Sequence, residues 1–463
     1  MPGDLDMENL KISYSGIRGI YREGLDEEVA RHFGEAFARF CLRLSSSPVL
    51  LLGKDTRPSG EALKQGLIEG LTTCDCILGD LGVVPSPTLA IYLAKANGDG
   101  GIMVTASHNP PEWNGFKFYS GAESIILDDV HTKELIRIYR DVKKHPSPTA
   151  PGPSPTIVNL NEAALRLHLH RVLSSCNAGL IGSEKIKVAI DSGQGAGTLL
   201  SLQLLEALGC EIVPVEVKRN SEPIPANLTA LCREVHEHGC DVGFAQDLDA
   251  DRLALVSEKG EAVGEEYTLT LAVRHLLEKF RSARPVVVKN SSSTHLIDHL
   301  VKTQGGELRE VKVGEVNLSR AFIELMKERR LAFGGEGNGG VIFPPVGYTR
   351  DSLSGIALIL EALATRKCRL SELVSEMPRF TMLKEKIVMP ERRKAEAFLK
   401  KCLNLFHGQE HQKVVRWDGI KVIYKDGSWC QVRQSNTEPV VRIIAESQDP
   451  ARAKEILEAV LNA

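Results

Sequence analysis

Ser107 stands beside His108 in the segment Thr105–Pro110, directly after the apolar run Gly101–Val104. The apolar run reads as a buried strand. Asn109, Pro110 and Pro111 then force a turn, because proline fixes φ and drives its predecessor away from helix. A serine expected to be exposed at the mouth of a strand, on a rigid loop, suits a group that accepts and returns something. A plain capping serine at a strand end is the other reading of this segment taken alone.

Asp247, Asp249 and Asp251, followed by Arg252, form a second grouping. Carboxylates at alternate positions repel one another unless a cation or basic groups lie among them. The flanking runs, 241–245 and 253–256, read as strands, which places the aspartates on a tight loop at strand ends. Oxygen-only donors favour a hard ion such as Mg²⁺. With Glu258 the three aspartates also match the liganding pattern of an EF-hand loop. Arg252 stands where that loop needs glycine, and a strand follows, so the EF-hand is rejected.

Two further segments carry polar chemistry. Gly334–Gly340 is glycine-rich and holds Glu336 and Asn338, a carboxylate and an amide of the kind that hydrogen-bond sugar hydroxyls. Arg433–Pro439 brings Arg433, Ser435, Asn436 and Thr437 together, with Arg442 just beyond. Arginine holds a phosphate dianion bidentately, and hydroxyls, amide and backbone N–H groups complete such a site.

The elements that must position these groups alternate between strand and helix. Val49–Leu52 reads as a strand, and 61–71 has helical spacing of apolar residues. Ile186–Ile190 leads through a glycine turn into a helix over 198–208; the turn lacks dinucleotide-fingerprint spacing. Pro285–Lys289 opens another α/β unit that ends near Ser375. From about Phe380 the chain reads as strands at 421–424, 429–432 and 440–444, then a helix from Ala451. Alternation in the first three blocks predicts parallel or mixed sheets. The proline-rich stretch 145–155 cannot form helix or a central strand, so it separates the serine unit from the aspartate unit.

At 463 residues the chain is too long for one core and should divide into three or four domains. A formal net charge of -3 gives no polybasic field, which excludes nucleic acid and anionic membrane as partners. No apolar run has the length of a membrane span. Met1–Asp6 is acidic and lacks an apolar h-region, so a cytoplasmic location is expected. The ten cysteines have no metal-binding spacing and read as reduced thiols, mostly buried.

Together and in this order, the four segments resemble the α-D-phosphohexomutase family over nearly the whole chain. Ser15–Gly19, Gly53–Arg57 and Asn114–Lys117 add to the likeness. The resemblance implies three similar α/β domains with mixed sheets and a C-terminal α+β domain around a central cleft. Residues 1–150 would carry the phosphoserine loop, 156–262 the metal loop, 263–375 the sugar loop and 380–463 the phosphate loop. It further implies an intramolecular phosphotransferase that interconverts hexose 6-phosphate and hexose 1-phosphate. Phosphorylated Ser107 gives its phosphoryl group to one sugar oxygen and recovers one from the other, through a 1,6-bisphosphate that turns over in the cleft. Mg²⁺ would be held by Asp247, Asp249, Asp251 and an oxygen on Ser107, and catalytic hexose 1,6-bisphosphate would act as activator.

The same resemblance places Arg18, His108 and Lys117 at the reacting end, with Arg252 beside them. Lys117 is favoured for proton transfer, because burial near a metal lowers an ammonium's pKa, which arginine scarcely permits. Glu336 and Asn338 would grip the ring edge in either orientation. Arg433, Ser435, Asn436, Thr437 and Arg442 would anchor the distal phosphate, and the fourth domain would close over the sugar. The chain departs from the commoner Gly-Glu-x-Ser-Gly-His pattern at Asn338 and Gly340, so no role passes to the missing histidine. Its Gly-Glu-Gly-Asn-Gly-Gly form is similar to archaeal-type phosphoglucosamine mutases and implies glucosamine phosphate. The Ser-Asn-Thr-Glu-Pro segment is shared with phosphomannomutase/phosphoglucomutase enzymes and keeps those sugars open. A metal-dependent phosphatase would leave Ser107 and Arg433 without a role, and a non-catalytic sensor would show degraded loops. The expected partner is a small sugar phosphate, bound by a monomer or homodimer.

Overall fold

The computed structural model describes residues 10–13, 16–147, 157–217, 219–407, 412–435 and 439–463. Ser15, Asn436, Thr437 and most of the proline-rich connector therefore lie outside the described residues. Four sheets follow one another along the chain.

The first sheet pairs Ile77–Val83, Val49–Lys54 and Gly100–Val104 in parallel, then adds Trp113–Ser120 antiparallel. The second runs Glu211–Pro214, Lys187–Asp191, Val242–Gln246 in parallel, then Leu253–Ser257 antiparallel. The third runs Glu307–Val311, Val286–Asn290, Ala332–Glu336 in parallel, then Gly340–Ile342 antiparallel. All three share one plan: three parallel strands closed by a hairpin. The serine loop, the aspartate loop and the glycine-rich loop each occupy that same hairpin. The fourth sheet is wholly antiparallel, in the order Thr381–Val388, Val440–Ser447, Trp429–Gln434, Ile420–Ile423, Lys413–Val415.

The central parallel strands are buried along their whole length, as sheets covered by helices on both faces require. The segment Ile157–Asn159, expected in the second unit, instead pairs in parallel with Ile77–Val83 at the edge of the first sheet. Backbone groups left open at that edge are satisfied by a returning strand.

A buried polar path joins the first three domains. His168 on the helix Asn161–Ser175 has Nδ1 2.8 Å from Thr88 Oγ1 and Nε2 3.1 Å from Asp351 Oδ2. The third and fourth domains meet through charge. Buried Lys421 donates to the Ser291 carbonyl at 2.8 Å and to Glu310 at 2.7 Å. All ten cysteines are free thiols; four are buried and six half-buried, so burial is less complete than composition suggests. No helix among the described residues is long and apolar enough to cross a membrane.

Candidate active site

The Ser107 loop is held by Arg57. Its guanidinium donates to the carbonyls of Ser107, Asn109, Pro110 and Trp113 at 2.6–2.8 Å, and its Nε lies 3.2 Å from Asp55. Asp55 accepts from Thr105 Oγ1, which in turn accepts from the Ser107 N–H. Ser221 of the second domain closes the loop from the far side by donating to the His108 and Asn109 carbonyls. This enclosure sustains a left-handed backbone at Ser107, φ 51°, a conformation that costs a non-glycine residue on the order of 1–3 kcal/mol.

Ser107 is not exposed as the turn chemistry suggests. It is 1% accessible, because its Oγ donates across the domain boundary to Asp247 Oδ2 at 3.0 Å. The hairpin brings the serine to the cleft, and the second domain then covers it.

Asp247, Asp249 and Asp251 are all buried, with one oxygen of each within 4.8 Å of the others. Backbone N–H groups of Asp251 and Arg252 donate to Asp247 Oδ1, and the turn passes through Ala250 at φ 54°. Lys117 lies 2.6 Å from Asp249 and 2.9 Å from Asp251; Ser86 donates to Asp249 at 2.6 Å. Asp249 Oδ1 and Asp251 Oδ1 are buried and accept no hydrogen bond. Two orphaned carboxylate oxygens beside a third carboxylate make an all-oxygen donor set that fits a hard divalent cation.

The charges set one another. Burial and repulsion from Asp251 and Asp249 push the Asp247 carboxyl well above its ordinary range. Burial acts the same way on Asp251, but Arg350, Lys117 and Arg252 outweigh it and hold that carboxyl well below. Burial pulls the Lys117 ammonium down, yet Asp249 and Asp251 reverse the sign and hold it above its ordinary value. The lowered value expected for Lys117 is thus corrected: two carboxylates in contact outweigh desolvation. His108 is driven well below its usual value by Arg252, burial and Arg18, and its Nδ1 lies 3.5 Å from Ser107 Oγ. Burial lowers Arg18 to about 10, against the pull of Asp249; its Nη1 lies 2.5 Å from Asn109 Oδ1.

Above these groups opens a cleft of about 420 Å³ lined from all four sheets' domains. Arg18, His108, Lys117, Arg252, Glu336, Asn338, Arg433, Ser435 and Arg442 all face it. Glu336 ends its strand and accepts from Asn290 at 3.1 Å, Arg350 at 3.0 Å and, more distantly, Asn338 and the Gly314 N–H at 3.4 Å. Across the fourth sheet Arg433 pairs with Arg442, and Arg442 with Lys386. Like charges thus stand directly opposite one another in this row. Asn436 and Thr437 fall outside the described residues.

Arg57, Ser86, Asn290, Glu315 and Arg350 belong to this site and escaped the sequence reading as site residues. Arg57 ends a segment already matched by resemblance; the others carry no local signal, since each acts across a domain boundary or from a distant turn.

With the fold and cleft described, the chain can be placed. It belongs to the phosphoglucomutase/phosphomannomutase family. Its alpha/beta/alpha domains I, II and III match residues 10–145, 166–260 and 264–380, and its C-terminal domain matches 386–463. Members of this family are phosphohexomutases, isomerases of the phosphotransferase kind. A probable phosphoglucosamine mutase from Methanopyrus kandleri is 32% identical, over 96% of this chain and 95% of its own. A phosphoglucomutase/phosphomannomutase from Thermococcus kodakarensis is also 32% identical, over 96% of each chain. The crystal structure of a phosphoglucomutase/phosphomannomutase family protein from Burkholderia thailandensis superposes with a TM-score of 0.81 at 26% identity, covering 97% of this chain and 96% of that one.

Proposed function

We propose that this phosphohexomutase interconverts glucosamine 6-phosphate and glucosamine 1-phosphate, with mannose and glucose phosphates as the alternative substrates. The observation that carries the reading is one cleft lined from four successive domains by Lys117, Arg252, Glu336 and the Arg433–Arg442 pair, with Ser107 and the three aspartates buried together beneath it. The ten free thiols fit a reducing cytoplasm.

Ser107 Oγ would carry the phosphoryl group. A sugar hydroxyl attacks phosphorus in line, the P–Oγ bond breaks, and a bisphosphate forms beside dephosphorylated Ser107. The second half-reaction reverses these steps at the other sugar oxygen. Lys117 keeps the proton-carrier role by position, not by a lowered pKa: its ammonium, held by Asp249 and Asp251, protonates the departing oxygen, and the amine so formed takes the proton of the incoming hydroxyl. His108 and Arg18 line the same cleft as Lys117. Asp247, Asp249 and Asp251, with an oxygen on Ser107, would hold Mg²⁺. A bound Mg²⁺ would spread the charge that builds on the equatorial phosphoryl oxygens.

Glu336 and Asn338 orient the ring. Arg433, Ser435 and Arg442, with Asn436 and Thr437, anchor whichever phosphate is not reacting, and Arg252 closes the cleft beside the aspartates. A trace of hexose 1,6-bisphosphate would keep Ser107 phosphorylated. A coupled assay on glucosamine, mannose and glucose 6-phosphates, with that trace present, tests the reading. The expected result is 1-phosphate product with the highest kcat/KM for glucosamine. Release of inorganic phosphate without isomer would overturn it.

A further inference from the structure

Gly340 is where the sugar loop lacks a side chain, and Arg350 fills the space. A Cβ built on Gly340 would lie 2.3 Å from Arg350 Cδ and 2.9 Å from its Cγ. Any larger residue at position 340 would therefore expel Arg350 from its present course. Gly340 has no left-handed φ, so room, and not backbone conformation, is what glycine supplies here.

Arg350 is 8% accessible, and its guanidinium spends its nitrogens on three carboxylates from two loops and a helix start. Nη2 reaches Asp251 Oδ2 at 2.6 Å, Nη1 reaches Glu336 Oε2 at 3.0 Å, and Nε reaches Glu315 Oε2 at 3.0 Å. One side chain thus ties the aspartate loop of the second domain to the sugar loop of the third. The two attachments have opposite meanings for binding. On Glu336 the guanidinium fixes the carboxylate that faces the cleft. On Asp251 it shares Oδ2 with Lys117 and adds a positive charge beside Oδ1, which accepts no hydrogen bond and lies 3.9 Å from Arg252 Nε.

Resting on the metal-site reading above, we infer that Arg350 is a positioning residue that opposes cation binding at Asp251 while locking Glu336 for the sugar. A cation arriving among the aspartates competes with Arg350 for Asp251. Arg350 remains anchored on Glu315 and Glu336, so the competition transmits the state of the metal loop to the sugar loop. Simple structural support would act differently: its loss would loosen both loops and weaken both ligands. Competition predicts effects of opposite sign.

The test is a calorimetric titration of MgCl₂ into the full-length, dephosphorylated protein, with intact mass confirming the absence of phosphate. Wild type is compared with Arg350→Met and Gly340→Ala. Removing the competing charge should tighten Mg²⁺ binding by about fivefold or more, the low end of ordinary coupling between two sites. In steady-state assays the same variants should raise KM for the sugar phosphates more than they lower kcat, and should narrow the difference between sugars. Gly340→Ala displaces the side chain without removing its charge, so it decides the matter if Arg350→Met leaves too many buried carboxylates unpaired to fold. Unchanged or weaker Mg²⁺ binding in a folded variant, with wild type binding normally, overturns the role of Arg350 alone. Absence of Mg²⁺ binding in wild type overturns the metal-site reading, and this inference with it.

Discussion

Ser107 Oγ donates to Asp247 Oδ2 at 3.0 Å, although 140 positions separate the two residues. The nucleophile candidate and the metal-ligand candidate are thus already in contact through a domain boundary. Ser107→Ala should abolish mutase turnover and remove the phosphate seen by intact mass. Because the hydroxyl is buried against Asp247, thermal or urea unfolding should also show a loss of about 1–3 kcal/mol, the cost of leaving a buried acceptor unsatisfied. Near-normal turnover in the variant would exclude Ser107 as the phosphoryl carrier.

Asp249→Asn removes one anion from the three-carboxylate set and half of the charge that holds Lys117. Mg²⁺ affinity should fall by more than about 10–100-fold, the loss seen when only a partner that orients a ligand is removed. Chelator should inhibit the wild type and added Mg²⁺ restore it. Full activity after exhaustive chelation would contradict the assignment.

Arg57 offers a test of the loop rather than of the chemistry. Four carbonyls and Asp55 depend on one buried guanidinium. Arg57→Met leaves Asp55 buried and unpaired, so unfolding free energy should drop by about 3–5 kcal/mol. Hydrogen exchange should quicken over 105–113 before it does elsewhere. Uniform protection across the variant would show that the loop is held by other contacts.

Sugar and phosphate recognition separate by substitution. Glu336→Gln should change the ratio of kcat/KM between glucosamine, mannose and glucose phosphates. Arg433→Lys keeps the charge but loses the planar fork, so all three should weaken by a similar factor, up to about 1.5–3 kcal/mol. Sugar-dependent losses at Arg433 with uniform losses at Glu336 would reverse the two roles.

Lys421 links the fourth domain to pH. Burial, and then Lys289, lower its ammonium from 10.5 to about 8, while Glu310 opposes them. In the folded state the proton leaves near pH 8, whereas the unfolded chain keeps it to about 10.5, so between those values the unfolded state binds more protons and stability rises with pH. The gain should approach roughly 3 kcal/mol across that window, and Lys421→Met should lack it. Equal slopes of unfolding free energy against pH in the two proteins would show that Lys421 does not titrate there.

Much of this molecule is local chemistry and therefore legible in its sequence. Strand runs such as Gly101–Val104 and Leu253–Val256 follow from apolar continuity. The turn after the first follows from Pro110 and Pro111, and the sugar-loop turn from the glycines of 334–340. Each loop's functional residues lie within a few positions of one another, so Ser107, the three aspartates, Glu336 and Arg433 stand out before any fold is known. Tertiary structure decided what those groups meet. No spacing announces that Asp247 will cover Ser107, or that Asp249 and Asp251 will reverse the effect of burial on Lys117. Nor does any local pattern mark Arg350, whose place depends on the missing side chain of Gly340 and on carboxylates from three separate segments. Charges and hydrogen bonds act through space over a few ångströms, while sequence records neighbours only along the chain. Three like hairpins at the mouth of one cleft turn that chain order into a single electrostatic neighbourhood.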